Sequence, residues 1–492
     1  MMGRGLGMVF GCGVVVFSLG AAKPKAGTAQ KPMPIAIYGP VTRPATQAVG
    51  IPDLAAQARA GKLVREIFQK EYAWTIRLSR REFARKLMQQ GLETNGDAAA
   101  RFVLFREARD IAAGAGDAGM AARAIELLDR YFIVDEIKMN LVALRAAAEA
   151  SKSGEEYGAV AQIGVAVVRR AVGRDDYELA GALTAVSSSA ANKAENAALE
   201  RQVQELGREV QKLAKEFEGV KAGQQAIAEK GEDAERCLAV GRHLCFVKSD
   251  FAAGLAMLAK GADPALRGLA NSELGGAGDA GQKVKLANGW WDLAEGQTPM
   301  VAGNLRNHAV EIYREALPGL RGLDRSAAEK RVELYYDELV KERGLERGLY
   351  AELYKGIAFE NRVRTRIDGA VDFDWGLEAA DGALPKDDFS IRWSGLLKAS
   401  VGGRYELVVY ANAGARIWIN DKIILDEPNL ARKRNGARIL LELPAGLHGV
   451  RIEYWDGGGA AKMRLMWRRP GGTQEEVVPG GCWYHDAYLV GG

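Results

Sequence analysis

Few side chains in this sequence stand at spacings that chemistry can use. In "VDFDWG" the carboxylates of Asp372 and Asp374 alternate with Phe373 and Trp375, so on a strand they share one face. Such a pair serves as general acid and base, or orients a sugar. The blander reading puts the aromatics in a core and lets the aspartates accept loop N–H groups. In "YANAGARIWINDKI" two strands meet at an Asn-Ala-Gly corner that offers the amide of Asn412 and no carboxylate. Trp455 and Asp456 precede "GGG", where an indole can meet the flat face of a sugar or simply flank a wide hairpin. His243 and Cys245 are two residues apart, a spacing that on a helix points them in different directions. "GGAGDAG" at 275–281 lacks the lysine and Ser/Thr of a phosphate loop. Adjacent Trp290 and Trp291 diverge by about 100° on a helix, so they make no flat platform and read as core beside an exposed Asp292. No nucleophile–base pair reaches motif strength, and the chain reads as a non-enzyme with no catalytic residue.

The elements that carry these residues change character along the chain. From about 56 to 340 the apolar pattern is helical, in segments joined by short Gly/Asp stretches such as "TNGDAA", where Asp97 can cap the following helix. Paired helices with small and large faces suggest a degenerate α-helical repeat stack. Within it Leu199, Val203, Leu206, Val210, Leu213, Phe217 and Val220 form a heptad seam. That seam either packs within its own domain or dimerises the chain through residues 199–220. From Leu349 onward short runs alternate with period two between Gly, Asn, Asp and Pro turns, which predicts an antiparallel β-sandwich or barrel. Tyr405, Leu407 and Val409 share one face of a strand, as do Val450, Ile452 and Tyr454, and Met463, Leu465 and Trp467. The fold class is therefore multidomain: an all-α region, then an antiparallel β-sandwich.

The 492 residues exceed one ordinary domain, and an apolar fraction of 48% with 26% charged residues is that of a globular chain. A net charge of +4 gives no warrant for nucleic-acid binding. The N-terminus has the grammar of a signal peptide: one arginine, the apolar run "LGMVFGCGVVVFSLG", then small residues, with cleavage expected after Ala22. The run is shorter than the roughly 20 residues of a spanning helix. Residues 23–55 read as a flexible linker, so the expected destination is the periplasm, the cell surface or the medium. Once Cys12 is removed, Cys237, Cys245 and Cys482 remain, and Cys237 and Cys245 are either bridged or buried as free thiols.

The β part also resembles the PA14 domain family over residues 346–488. The resemblance rests on "GLYAELYKG" at 348–356, "VDFDWG" at 371–376, the stretch from "LPKDDFSIRW" to "ARIWINDK" at 384–422, "LPAGLHGVRIEYWDGGGAAKMRLMW" at 443–467 and "EEVVPGGCWY" at 475–484. The helical part is loosely similar to helical regions of bacterial exported proteins. The resemblance implies an exported protein whose β module recognises carbohydrate. Carbohydrate-binding members hold calcium with two successive aspartates before the "RLWIDG"-like strand, and here Asn412 and Ala413 stand at those positions. Calcium wants six to eight oxygen ligands, charged ones above all, so no metal and no other cofactor is expected.

The candidate carbohydrate-binding residues are Asp372, Asp374, Asn412, Trp455 and Asp456. The basic stretch "ARKRNGAR", with Arg432, Lys433, Arg434 and Arg438, either meets an acidic polysaccharide or is a solvated loop. The expected partners are a glycan and a protein docked on the helical stack. The alternative is a structural or protein-interaction role in which the β module has lost its ligand. A polysaccharide hydrolase is the remaining, weaker alternative.

Overall fold

The computed structural model describes residues 48–486 apart from 95, 232, 277, 343, 360, 421 and 434. The expected signal peptide, most of the linker, Arg434 and Asp421 therefore lie outside the described residues. Fifteen α-helices run from Leu54–Ile67 to Gly322–Glu342 among the described residues. The joints repeat one device. At five of them a residue of positive φ (Gly96, Gly116, Asp175, Glu195 and Ser249) is followed directly by a capping Asp or Asn. The left-handed residue closes the joint, and the next side chain accepts the free N–H groups that open the following helix, which turns the chain within three or four residues. Asp97 caps as the sequence indicates, accepting from the Ala100 amide at 2.8 Å.

The heptad seam lies inside a single helix, Ala197–Lys230, and Leu199, Val203, Leu206, Val210 and Leu213 are buried with Val160, Val167 and Leu183 of neighbouring helices. The seam is thus occupied by the chain itself. The same helix contributes Glu209, buried, which accepts from the Thr298 hydroxyl and from the Met300 amide at 3.4 Å and so caps Pro299–Ala316 from outside. Cys237 and Cys245 are both buried free thiols. Trp290 is fully buried, Trp291 half-buried and Asp292 exposed.

Thirteen strands follow: β1 (Leu345–Arg347), β2 (Leu349–Lys355), β3 (Asn361–Asp368), β4 (Asp372–Gly376), β5 (Phe389–Ala399), β6 (Gly403–Ala411), β7 (Gly414–Ile419), β8 (Lys422–Glu427), β9 (Ala437–Leu443), β10 (Gly446–Asp456), β11 (Ala461–Arg468), β12 (Glu476–Val477) and β13 (Trp483–Asp486). They form an eight-stranded sheet, β1-β13-β5-β10-β7-β8 with β2 and β3 beside β5, and a five-stranded sheet, β12-β11-β6-β9 with β4 beside β11. Every recorded strand pairing is antiparallel. The three predicted inward sets all lie in the core between the sheets, with Trp393 and Trp483. β5 changes partner halfway along one edge, from β2 to β13. Gly395 stands at that change, where a Cβ would lie 2.4 Å from the Tyr484 carbonyl oxygen, so only glycine admits the crossover.

The sandwich docks on the helices. Lys398 of β5, buried, pairs with Asp337 at 2.5 Å, and Arg362 of β3 pairs with Glu82. Tyr336 lies against Gly446, and Ala445 is part of the last helical core.

Glu195 is exposed at φ 55°, where a Cβ costs about 1–2 kcal/mol. Glu195→Gly is expected to raise stability by about 0.5–1 kcal/mol after the added chain entropy of glycine is discounted. Chemical denaturation followed by circular dichroism measures it, and a loss of stability would show that the joint is not strained.

Candidate ligand site at the loop end of the sandwich

The corner between β6 and β7 is tied down from three sides. The side-chain oxygen of Asn412 accepts the Lys462 amide at 2.7 Å and the Tyr454 hydroxyl at 3.4 Å. Ala413 packs on the core, and its carbonyl accepts the Leu430 amide at 2.9 Å. Gly414 sits directly opposite Trp455, whose indole lies across its backbone; a Cβ there would come within 2.1 Å of the ring. The oxygen that Asn412 retains is therefore spent on backbone and hydroxyl donors, and Ala413 brings no side-chain donor. These two residues do not fit the calcium ion that the family resemblance implies. Among the described residues no three His, Cys, Asp or Glu side chains are grouped to hold a metal ion.

Trp455 is half-buried, with the Arg416 guanidinium 4.8 Å from its ring centroid and Phe359 edge-on at 6.4 Å. Phe359 is held at φ 60°, a region bulky residues avoid, and its ring sits 5.0 Å from the Arg392 guanidinium. The β2–β3 loop thus carries an aromatic that the sequence reading missed. Its signal, "GIAF", is a turn glycine followed by apolar residues, with nothing to announce the left-handed backbone. Asp456 is 1% exposed and accepts the Gly458 amide at 3.1 Å and the Tyr454 hydroxyl at 3.4 Å. Burial pushes its carboxyl above the ordinary range, the two donors oppose this, and the Asp387 and Asp388 carboxylates add to it. Asp387 itself accepts the Gly459 amide at 3.0 Å, and the Asp388 carbonyl accepts the Gly356 amide at 2.6 Å, so these loops converge.

Asp372 and Asp374 do share a strand face, and it is the outer face of the small sheet. There they stand opposite Arg464 and Lys462 and pair with them at 2.7 and 3.1 Å. Phe373 and Trp375 turn inward and stack at 5.0 Å. The carboxylates answer cations on β11 in place of the loop amides expected from sequence. Lys433 pairs with Glu427, while Arg438 pairs with Glu406 at 3.2 Å and Glu475 at 2.8 Å. His243 meets Asp175 at 2.7 Å, and burial, with Glu273 and Asp250 nearby, pushes the Cys245 thiol up to about 12, so it stays protonated.

Below the corner, the outer face of the large sheet is itself buried. Register sets Arg416 (β7), Glu453 (β10), Arg392 (β5) and Glu352 (β2) in one row across four strands. Glu453, 1% exposed, meets Arg392 at 2.9 Å, Arg451 at 3.0 Å and Arg416 at 3.6 Å. Burial pushes Arg451 down to about 10 against the pull of Glu453, with Arg392 and Arg416 adding to the fall. Its guanidinium lies 4.0 Å from the Trp418 ring centroid, which explains why that outward indole is buried too.

With this geometry in place, the β part can be assigned: residues 345–481 match the PA14 domain and form one. The anti-sigma-I factor RsgI3 of Acetivibrio thermocellus is 33% identical over 133 residues, 27% of this chain and 20% of that protein. The chain thus spans about a fifth of the length of this curated relative. An anti-sigma factor domain-containing protein from Clostridium clariflavum is 26% identical, over 28% of this chain and 47% of that one, with a TM-score of 0.26. A PA14 sugar-binding domain from an RTX adhesin is 20% identical, over 28% and 98%, with a TM-score of 0.22.

Two outcomes follow for the site. Glu453→Ala leaves three arginines without their shared carboxylate and is expected to cost about 3–5 kcal/mol, read from urea denaturation. Because the folded pKa of Asp456 is raised, the folded state holds its proton longer, so stability falls as pH rises from about 4 through that raised value. Unfolding at a series of pH values should show Asp456→Asn gaining on the wild type across that window and levelling above it. Parallel curves would contradict the burial account.

Proposed function

We propose that this is a non-catalytic, exported protein whose PA14 domain binds carbohydrate without a metal ion, the helical stack serving as spacer and protein-docking surface. The observation that carries this reading is the aromatic pair Phe359 and Trp455 at the loop end of the sandwich, partly exposed and fixed between Gly414, Arg392 and Arg416. A pyranose ring presents C–H groups to an aromatic surface, and rigid aromatics bind with little loss of freedom. The replacement of the family's aspartates by Asn412 and Ala413 removes the metal from the recognition.

The test is binding of the protein to a polysaccharide panel in calcium and in chelator. Binding should persist in chelator, and Trp455→Ala should weaken it at least tenfold with the circular dichroism unchanged. Strict calcium dependence would overturn the metal-free reading. Absence of binding to any glycan would favour the structural alternative, which the internally satisfied Asn412 also supports. Release of reducing sugar, lost on changing Asp372 or Asp374, would revive the hydrolase.

A further inference from the structure

The joint between the first and third helices breaks the usual rule for a soluble surface. Over twelve residues Ile67, Trp74, Ile76 and Leu78 are 62, 40, 69 and 57% exposed, and Leu63, one turn earlier on the first helix, is 52% exposed. The cause is local. Phe68, Tyr72 and Trp74 all pack around the buried ring of Phe83, at 5.7, 4.9 and 6.2 Å between centroids. That aromatic knot fixes the turn and leaves the residues between its members facing outward. Single exposed apolar side chains are ordinary, but a rigid run of them marks an interaction surface.

The charge around this run selects the partner. Residues 54–90 contain nine Lys and Arg against three Glu, an excess of six, while the whole chain carries only +4. Some of these cations are used internally: Arg77 and Arg81 meet Glu156, and Lys86 meets Glu71. The cations nearest the apolar run are exposed and at most loosely paired. Arg59 and Lys70 pair with no carboxylate among the described residues, and both are exposed. Lys62 is 4.0 Å from Glu66 with its side chain 82% exposed, and Arg65 is 3.9 Å from Glu107 with 68% exposed. Arg59, Leu63 and Ile67 follow one another at four-residue spacing on one helix face.

Outward Trp, Ile and Leu within a collar of exposed Lys and Arg, Arg59 and Lys70 without an ion pair among the described residues and Lys62 and Arg65 in long, solvent-facing ones, suit an interface that is apolar within and anionic at its surface. We infer that the Leu63–Leu78 joint docks on a bilayer carrying anionic headgroups, the apolar side chains entering the acyl boundary and Arg59, Lys62, Arg65 and Lys70 meeting phosphates. The described chain begins at residue 48, six residues before the first helix. A joint docked in this way would hold the PA14 domain at a membrane face.

The test is hydrogen–deuterium exchange of the full chain with phosphatidylcholine vesicles, with and without phosphatidylglycerol. This readout resolves the joint from the N-terminal run. Residues 63–80 should exchange at least fivefold more slowly with the anionic vesicles, and the effect should fade in high salt. Ile67→Asp with Ile76→Asp should abolish it, and Arg59→Glu with Lys70→Glu should abolish it with the apolar residues intact. Four outcomes overturn the proposal: protection confined to residues 6–20, equal protection by neutral vesicles, protection in the free protein that grows with concentration (a second copy), and protection in the dilute free protein (the chain's own N-terminal residues).

Discussion

A buried carboxylate, Glu453, holds the large sheet to its purpose. It sits on the side of β10 away from the core, where a solvated face would be usual, and three arginines close around it. Removing Glu453 leaves buried Arg451 without its counter-charge and Arg392 and Arg416 with only Glu352 and Asp426, which is among the larger penalties a single change can impose. The row Arg416–Glu453–Arg392–Glu352 also fixes register, because a one-residue slip would set its charges opposite core residues such as Ile391 or Trp393 and turn the core face outward, and a two-residue slip could bring Arg451 opposite Arg392. Its upper end carries the aromatics of the loop site: Arg416 underlies Trp455 and Arg392 underlies Phe359. Electrostatic order in the sheet thus becomes rigidity at the site.

The corner shows what an amide oxygen does when the fold around it supplies its own donors. Asn412 keeps an oxygen, but one directed at the Lys462 amide and the Tyr454 hydroxyl, and it now joins β6 to β10 and β11. Buried Asp456 lies beside it with its own donors. Two polar side chains that resemble ligands in sequence therefore act as braces, and the partly exposed groups beside them are the aromatic rings of Trp455 and Phe359.

The helical region is built on a different economy, one of ends. Its joints recur as a left-handed residue followed by a capping side chain, and the Glu209 carboxylate caps a helix from a neighbour where Thr298 does not cap it. The same close packing that buries the heptad seam leaves the Leu63–Leu78 joint apolar and uncovered among the described residues, so the helices have an inside and one conspicuous outside.

Much of this was legible from the residues. Period-two alternation marked the inward faces of β6, β10 and β11, Asp97 was readable as a cap, and Trp290 as core, because burial and capping depend on local periodicity and side-chain chemistry. The aspartates of "DFDWG" were placed correctly on one face, yet their partners, Arg464 and Lys462, lie ninety residues on and are set by the register of β4 against β11. The heptad pattern was compatible with two packings, and only the fold showed Val160, Val167 and Leu183 filling the seam. Phe359 was marked only by the turn glycine and apolar residues of "GIAF", since a left-handed backbone on a large residue is imposed by the loop around it. Sequence by itself determined which faces had to be buried and where helices and strands begin, because those follow from nearest neighbours along the chain. Tertiary structure alone decided which charges meet, which oxygen is left for a ligand, and which apolar residues remain outside, because each depends on partners distant in sequence.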